Sequence, residues 1–263
     1  MTGLRWRAAI LTTVLAAAPY LTGQEPAGSA PPLPGDAASG HETLNYQVEW
    51  RLIPAGTAKF RFLSLPRAQA TTSEVWLHLE SAGLVSRLFH VNDDYTASLG
   101  QNLCARNSIL TAHEGSRNRE TRVTYDAQAR KAISLEKDLN KNTTMMREVE
   151  IPPCVHDVLG GLMVLRSLRL EPGKTAQIPL SDGKKSVQVR VESQRREELQ
   201  TALGARKTIR YEIFLFDNVL YKRSGHLHVW LTDDSARLPV QLQVHLQFTI
   251  GTITFKLQKE DKL

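Results

Sequence analysis

The sequence predicts a mainly β protein. It reads as an antiparallel, strongly curved sheet or barrel-like fold of many short strands, with one buried central helix at about 157–170. Three observations predict this. Apolar and polar residues alternate with period two over most of the chain, the signature of half-buried strands. Turn residues interrupt that alternation at short intervals, and a twisted sheet with so many strands curls toward closure. Only one stretch, from Asp157 to Leu170, carries apolar residues around a whole helical circumference.

In that stretch Pro152 and Pro153 keep the chain extended, since each fixes φ and lacks an N–H. Asp157 suits the helix start, where a carboxylate meets free N–H groups. Val158, Leu159, Leu162, Met163, Leu165 and Leu168 cover most of the circumference, so the helix is buried, and Pro172-Gly173 stops it. Gly160 and Gly161 cost about 1 kcal/mol each against Ala, which makes sense if a strand passes close by. Arg166 falls inside the apolar arc. Two readings stand: a guanidinium that snorkels or pairs with a structural acid, or an anion site. The run is too short and too polar to span a bilayer.

The elements before the helix follow in order. Leu44, Tyr46, Val48 and Trp50 alternate with Asn45, Gln47 and Glu49. Pro54-Ala55-Gly56 reads as a turn. Ala58, Phe60 and Phe62 complete a hairpin, and a polar loop follows over 65–73. Val75, Leu77 and Leu79 form the next strand. Residues 83–90 are ambiguous: Leu84, Val85, Leu88 and Phe89 have helical spacing and suit a short turn packed under an edge. Short strands follow near 95–99, 108–114, 119–125, 132–135 and 145–151.

After the helix, strands at 175–180 and 186–192 flank an Asp182-Gly183 turn. Those at 199–202 and 206–216 flank Leu203-Gly204. The chain finishes with strands at 226–231, 239–248 and 252–257. An outer-membrane barrel would carry aromatic girdles and a broad apolar outer band. The few aromatics and frequent turns here fit poorly with one.

The N-terminus has the form of a secretory signal peptide over residues 1–23: Arg5 and Arg7, the apolar run Ala8 to Ala18, then small residues. Residues 24–40 are rich in Pro, Ala and Gly and read as a disordered tether. Residues 41–263 then form a single β domain, leaving no transmembrane segment once the signal is removed. Losing two arginines lowers the net charge of +6 by two, and the chain stays mildly basic. There is no basic-aromatic interleaving of a nucleic-acid module, and export argues against one. The exported address is periplasmic or secreted. In that compartment the two cysteines, Cys104 and Cys154, favour a disulfide.

Several pieces resemble a known family. Tyr46-Gln47-Val48-Glu49-Trp50 with Ile53-Pro54-Ala55-Gly56-Thr57-Ala58 resembles the opening hairpin of the bacterial domain of unknown function DUF3108. Ile151-Pro152-Pro153-Cys154-Val155-His156-Asp157 with Leu165-Arg166-Ser167-Leu168 resembles its central helix. Trp230-Leu231-Thr232-Asp233-Asp234, Arg237-Leu238-Pro239-Val240 and Gly251-Thr252-Ile253-Thr254 resemble its closing strands. The resemblance implies an exported bacterial protein with a β-barrel-like fold and implies no activity. Where the family's helix often carries Tyr-Tyr, this chain has Met163-Val164, so no role for those aromatics carries over. The cysteine pair occurs in part of the family.

No nucleophile elbow, zinc-protease, phosphate-loop or dinucleotide motif appears, and no cofactor is implied. His226 and His228 share a strand face at metal-like spacing, but no further ligand sits in the motif. Asp233-Asp234 and Asp93-Asp94 read as turn chemistry. Tyr46, Trp50, Phe60 and Phe62 form an aromatic stripe: core, or, with Arg166, the lining of a ligand cavity. The leading expectation is a non-enzymatic envelope protein binding an apolar or amphiphilic ligand, lipid-like or glycan, or a partner protein. The alternatives are an envelope hydrolase using carboxylates near Asp157 or Asp233, and a structural member of an envelope complex.

Overall fold

The computed structural model describes residues 40–67, 70–247 and 251–262. Residues 1–23, read above as a signal peptide, and nearly all of 24–40, read as a tether, lie outside the described residues. Fourteen strands and two helices are described: β1 His41–Trp50, β2 Ile53–Arg67, β3 Ala70–Ser81, α1 Gly83–Leu88, β4 Val91–Leu99, β5 Ala105–Glu114, β6 Arg117–Asp126, β7 Lys131–Asp138, β8 Thr143–Glu150, α2 Val158–Ser167, β9 Thr175–Ser181, β10 Ser186–Thr201, β11 Gly204–Ile213, β12 Gly225–Thr232, β13 Pro239–Leu246 and β14 Gly251–Lys262. The strands form one antiparallel sheet in the order β8 to β1, then β14 to β9. Two meanders are thus joined where the first strand pairs with the last, Tyr46 opposite Leu257 and Val48 opposite Phe255. The sheet is curved and barrel-like but not closed, with β8 and β9 as its edges.

Alternation places one face inward. Along β1, Leu44, Tyr46 and Val48 are buried while Asn45, Gln47 and Glu49 are more exposed. Three details differ from the sequence reading. The polar loop at 65–73 is absorbed into a long β2–β3 hairpin, because the chain pairs as far as Arg67 with Ala70. The first turn lies at Arg51–Leu52 rather than at Pro54–Gly56, with both tip residues at positive φ, 49° and 71°. Gly56 instead lies in β2, with φ of 159°, where an added Cβ would meet the Glu80 carbonyl oxygen at 2.0 Å. α1 sends only Val85 onto the core; Leu84, Leu88 and Phe89 are exposed.

The helix α2 carries the chain from edge β8 to edge β9. It begins as expected at Asp157 and ends at Ser167, before Leu170, because Leu168 turns extended. The segment before it is stitched on two sides: Ala105 N donates to Val155 O at 2.8 Å, and Ser181 N to His156 O at 2.9 Å. The close approach that its glycines call for is present. A Cβ at Gly161 would sit 2.6 Å from the Leu180 side chain, and one at Gly160 3.3 Å from Leu99. The Asp182-Gly183 turn folds over β6 and β7, where Gly183 abuts Val123 and Lys184 pairs with Glu136.

Three interactions anchor α2. The Cys104–Cys154 disulfide, with Cα atoms 5.0 Å apart, ties the start of β5 to the approach of the helix. Asp157 is fully buried and accepts from Leu159 N at 3.2 Å, Gly160 N at 3.1 Å and Tyr95 OH at 2.8 Å. Burial pushes its carboxyl above the ordinary range, although those three donors pull it down. Arg166 meets Glu42 of β1 in a buried bidentate pair, at 2.5 and 2.9 Å. It also donates to the carbonyls of Arg237 at 3.1 Å and Ala236 at 3.2 Å, while Arg237 Nε donates back to Arg166 O at 2.9 Å.

These anchors give three expected outcomes. Replacing both cysteines by Ser lowers unfolding stability by up to about 4 kcal/mol, since the bond closes a long loop; denaturant titration of oxidised and variant protein checks it. Asp157→Ala costs about 1–3 kcal/mol through the stranded N–H and hydroxyl donors, whereas Asp157→Asn, still able to cap, costs less. Because the folded-state pKa of Asp157 is raised, its favourable contribution is complete below its unfolded value and fades as pH rises through the folded one. The Asp157→Asn variant therefore loses that part of the pH dependence in denaturant midpoints. Glu42→Ala costs about 3–5 kcal/mol by leaving a buried guanidinium without its counter-ion. In a double-mutant cycle with Arg166→Ala the two losses fall short of additivity.

Candidate functional site

The inward face is not evenly buried. On the four neighbouring strands β1, β14, β13 and β12, the row Trp50, Ile253, Val244 and Leu227 stands opposite one another at the end of the β1–β2 turn, and all four are half-buried. One step inward, Phe255 and Leu242 are half-buried between buried Val48 and Val229. One step further, Tyr46, Leu257, Val240 and Leu231 are all buried. β3 and β4 show the same gradient, from buried Val75 and Ala97 to half-buried Leu79 and Tyr95. Packing explains it. α2 fills the inside at the other end, where Leu159, Met163 and Val164 lie on the cluster around Leu44, while Val164 and Leu162 also touch the cluster around Tyr211. The interior is therefore occupied at one end by α2, which buries Leu165 and Arg166 and leaves Leu159, Leu162, Met163 and Val164 half-buried, and is accessible, with an apolar lining, at the β1–β2 end.

The residues singled out in the sequence distribute along this gradient. Trp50 stands at the accessible end. Tyr46 and Phe60 are in the buried cluster, and the Tyr46 hydroxyl donates to Pro239 O at 2.8 Å. Burial pushes that phenol well above its ordinary range. Phe62 is half-buried at the opposite end, beside a concavity of about 480 Å³ that also touches Glu42, Val75 and Trp76. Arg166 is held by Glu42. The partners of Trp50 in the accessible row were visible in the sequence only as alternation in β12, β13 and β14. Nothing in periodicity says which strand becomes the neighbour of β1.

A second concavity, about 690 Å³, lies between the β1–β2 hairpin and α1. Its walls carry the outward-facing Asn45, Gln47, Lys59 and His78, over a floor that includes Gly56 and Ala58. Elsewhere on the outer face Trp76 is sandwiched by Arg61, 3.9 Å from its ring centre, and by the stacked ring of His78.

The carboxylates and histidines are engaged in structural roles. Asp234 Oδ1 accepts from Ala236 N, Arg237 N and Thr232 Oγ1, closing the β12–β13 turn. Asp233 pairs with Arg196 at 2.8 Å. Asp93 accepts from His113 N, and burial raises its pKa. His226 lies on the outer face against Glu212 at 2.9 Å, with His228 3.9 Å from the same carboxylate, and burial lowers the His228 pKa. Among the described residues no group of three such side chains is placed to hold a metal ion, and no helix is long and apolar enough to cross a membrane.

The fold has a counterpart among solved structures. A β-barrel-like protein of the domain of unknown function DUF1849 from Brucella abortus superposes over 86% of this chain and 98% of its own, with a TM-score of 0.52 and 10% identity. A protein named as exported, with a YmcC-like fold, from Bacteroides fragilis aligns over 84% of this chain and 95% of its own, with a TM-score of 0.34 and 10% identity. At such identity the first likeness concerns the fold alone. None of the curated proteins compared matches the sequence. The family of proteins of unknown function DUF3108 matches residues 45–258, nearly the whole described domain, and the chain belongs to it.

Proposed function

We propose that this DUF3108 protein is an exported, non-enzymatic envelope protein that holds the apolar part of an amphiphilic ligand inside its half-open sheet. The observation that carries the reading is the graded burial of the inward face. Its end row of Trp50, Ile253, Val244 and Leu227 is accessible, with Phe255 and Leu242 behind it. A well-packed fold of this size has no folding reason to leave that many inward apolar side chains half wet, because each gains more from full burial. A lipid-like chain would complete the packing that α2 supplies at the other end. Of the aromatic stripe, Trp50 would meet the ligand first, with Tyr46, Phe60, Phe62 and Arg166 shaping the interior behind it. Export is supported by the N-terminal pattern of charge, apolar run and small residues, and by the Cys104–Cys154 disulfide, which suits an oxidising compartment.

The test is displacement of a naphthylamine fluorophore by lipid extract, with native mass spectrometry of protein purified from its own envelope. Saturable probe binding, weakened about tenfold by Ile253→Asn or Trp50→Ala with little loss of thermal stability, is the expected result; one lost anchor of this size is worth about 1–3 kcal/mol. Probe binding that is absent, or indifferent to both variants, overturns the reading.

A further inference from the structure

The β1–β2 turn, α1 and the β5–β6 turn form one connected edge. Ala82 N donates to Ala55 O at 2.7 Å, which seats α1 beside the first hairpin. On its other side the Phe89 ring lies over Gly115, and Gly115 N donates to His90 O at 2.7 Å. The four most exposed large apolar side chains of this connected edge are Leu52 at 85%, Leu88 at 68%, Leu84 at 60% and Phe89 at 53%. Leu52 stands at a turn tip with a positive φ, where Asn or Gly is the usual residue. The two-residue turn needs that conformation, but an exposed Leu there gains no burial, and such a side chain at a position that disfavours it points to a contact outside the chain.

Two exposed cationic side chains lie at this edge. Arg87 on α1 and Arg117 after the β5–β6 turn are exposed and without an ion-pair partner among the described residues. Of the acids nearby, Glu114 pairs with Arg119 at 3.0 Å and Asp93 accepts from His113 N at 2.9 Å, while Glu80 and Asp94 flank His78.

We propose that this edge docks on the surface of an anionic lipid bilayer. The four apolar side chains enter the boundary between headgroups and acyl chains, and Arg87 and Arg117 meet lipid phosphates. The apolar groups project from turn tips and a six-residue helix rather than forming a flat face. A fluid bilayer accommodates separate projections, whereas a protein partner needs a continuous complementary surface. Basic side chains beside apolar ones are what an anionic leaflet attracts. The edge includes the β1–β2 turn beside Trp50, so docking would bring the accessible row to the lipid, yet the proposal stands on the edge alone.

Co-sedimentation of the oxidised mature protein with phosphatidylcholine vesicles, with and without phosphatidylglycerol, tests it. The wild type is expected to partition onto the phosphatidylglycerol vesicles and to come off as salt is raised. Arg87→Gln and Arg117→Gln each weaken that partitioning about fivefold. Leu52→Ser with Leu88→Ser weakens it further, while thermal unfolding stays unchanged because both side chains are exposed. No partitioning of the wild type, or partitioning that none of these variants alters, overturns the proposal. So does a dimer in solution that Leu88→Ser dissociates, which would assign the edge to a second copy. Fluorophore binding by the interior reads separately, so docking can fail while the ligand reading holds, and the reverse.

Discussion

The pairing of β1 with β14 is the contact on which the architecture depends. Every other strand pair in the sheet is between neighbours in sequence, and each such hairpin forms locally. The β1–β14 ladder joins residues about as far apart in sequence as this domain allows, Glu42 with Lys262 at one end and Trp50 with Ile253 at the other. Without it there are two separate meanders, each with an apolar face too large for its own strands to cover. With it the inward faces become continuous, and curvature turns them toward each other. Forming it closes a very long loop, and that entropy is recovered only through the burial that follows.

α2 is the second half of the same solution. Joining the meanders through β1 and β14 leaves β8 and β9 as edges, and those are the two strands that α2 connects. The helix is placed by groups that tolerate no alternative seat. A buried carboxylate caps its start, a disulfide holds its approach, and a guanidinium near its end is matched to one carboxylate and two carbonyls. Buried ionic groups of this kind are weak sources of net stability, because desolvation offsets most of the attraction. Their effect here is positional. The Arg166–Glu42 pair locks the helix to the central strand β1, so the inside is filled at one end only.

That asymmetry links the fold to the proposed use. A helix lying along the whole inside would leave no room for a ligand, and no helix would leave an apolar interior wet throughout. The seat of α2 makes a base beneath an accessible apolar row. Next to that row, the β1–β2 turn carries Leu52 outward while its neighbour Trp50 faces in. One tight turn thus contributes to two surfaces, one facing the interior and the other the surroundings.

Much of this was legible in the residues. Period-two alternation marked most strands and their inward faces, since side chains on a strand alternate by geometry alone. The apolar circumference from Val158 to Leu168, Asp157 at its head and Gly160-Gly161 within it marked the central helix and even the close approach of a strand. The expectation of an oxidising compartment pointed to Cys104 and Cys154 as partners. Local chemistry misled where pairing overrode it. Pro54-Ala55-Gly56 has turn composition, but the ladder with β1 draws it into a strand and moves the turn to Arg51–Leu52. Polar residues at 65–73 were taken into a hairpin for the same reason. By itself, then, the sequence determined the element types, the inward faces, the central helix and the family resemblance, because these depend on local periodicity and residue chemistry. Tertiary structure alone decided that β14 lies beside β1, that Arg166 meets Glu42, and that Trp50 shares an accessible row with Ile253, Val244 and Leu227. Those are contacts between residues distant in the chain, and the long-range pairing that creates them leaves no periodic trace in any one segment.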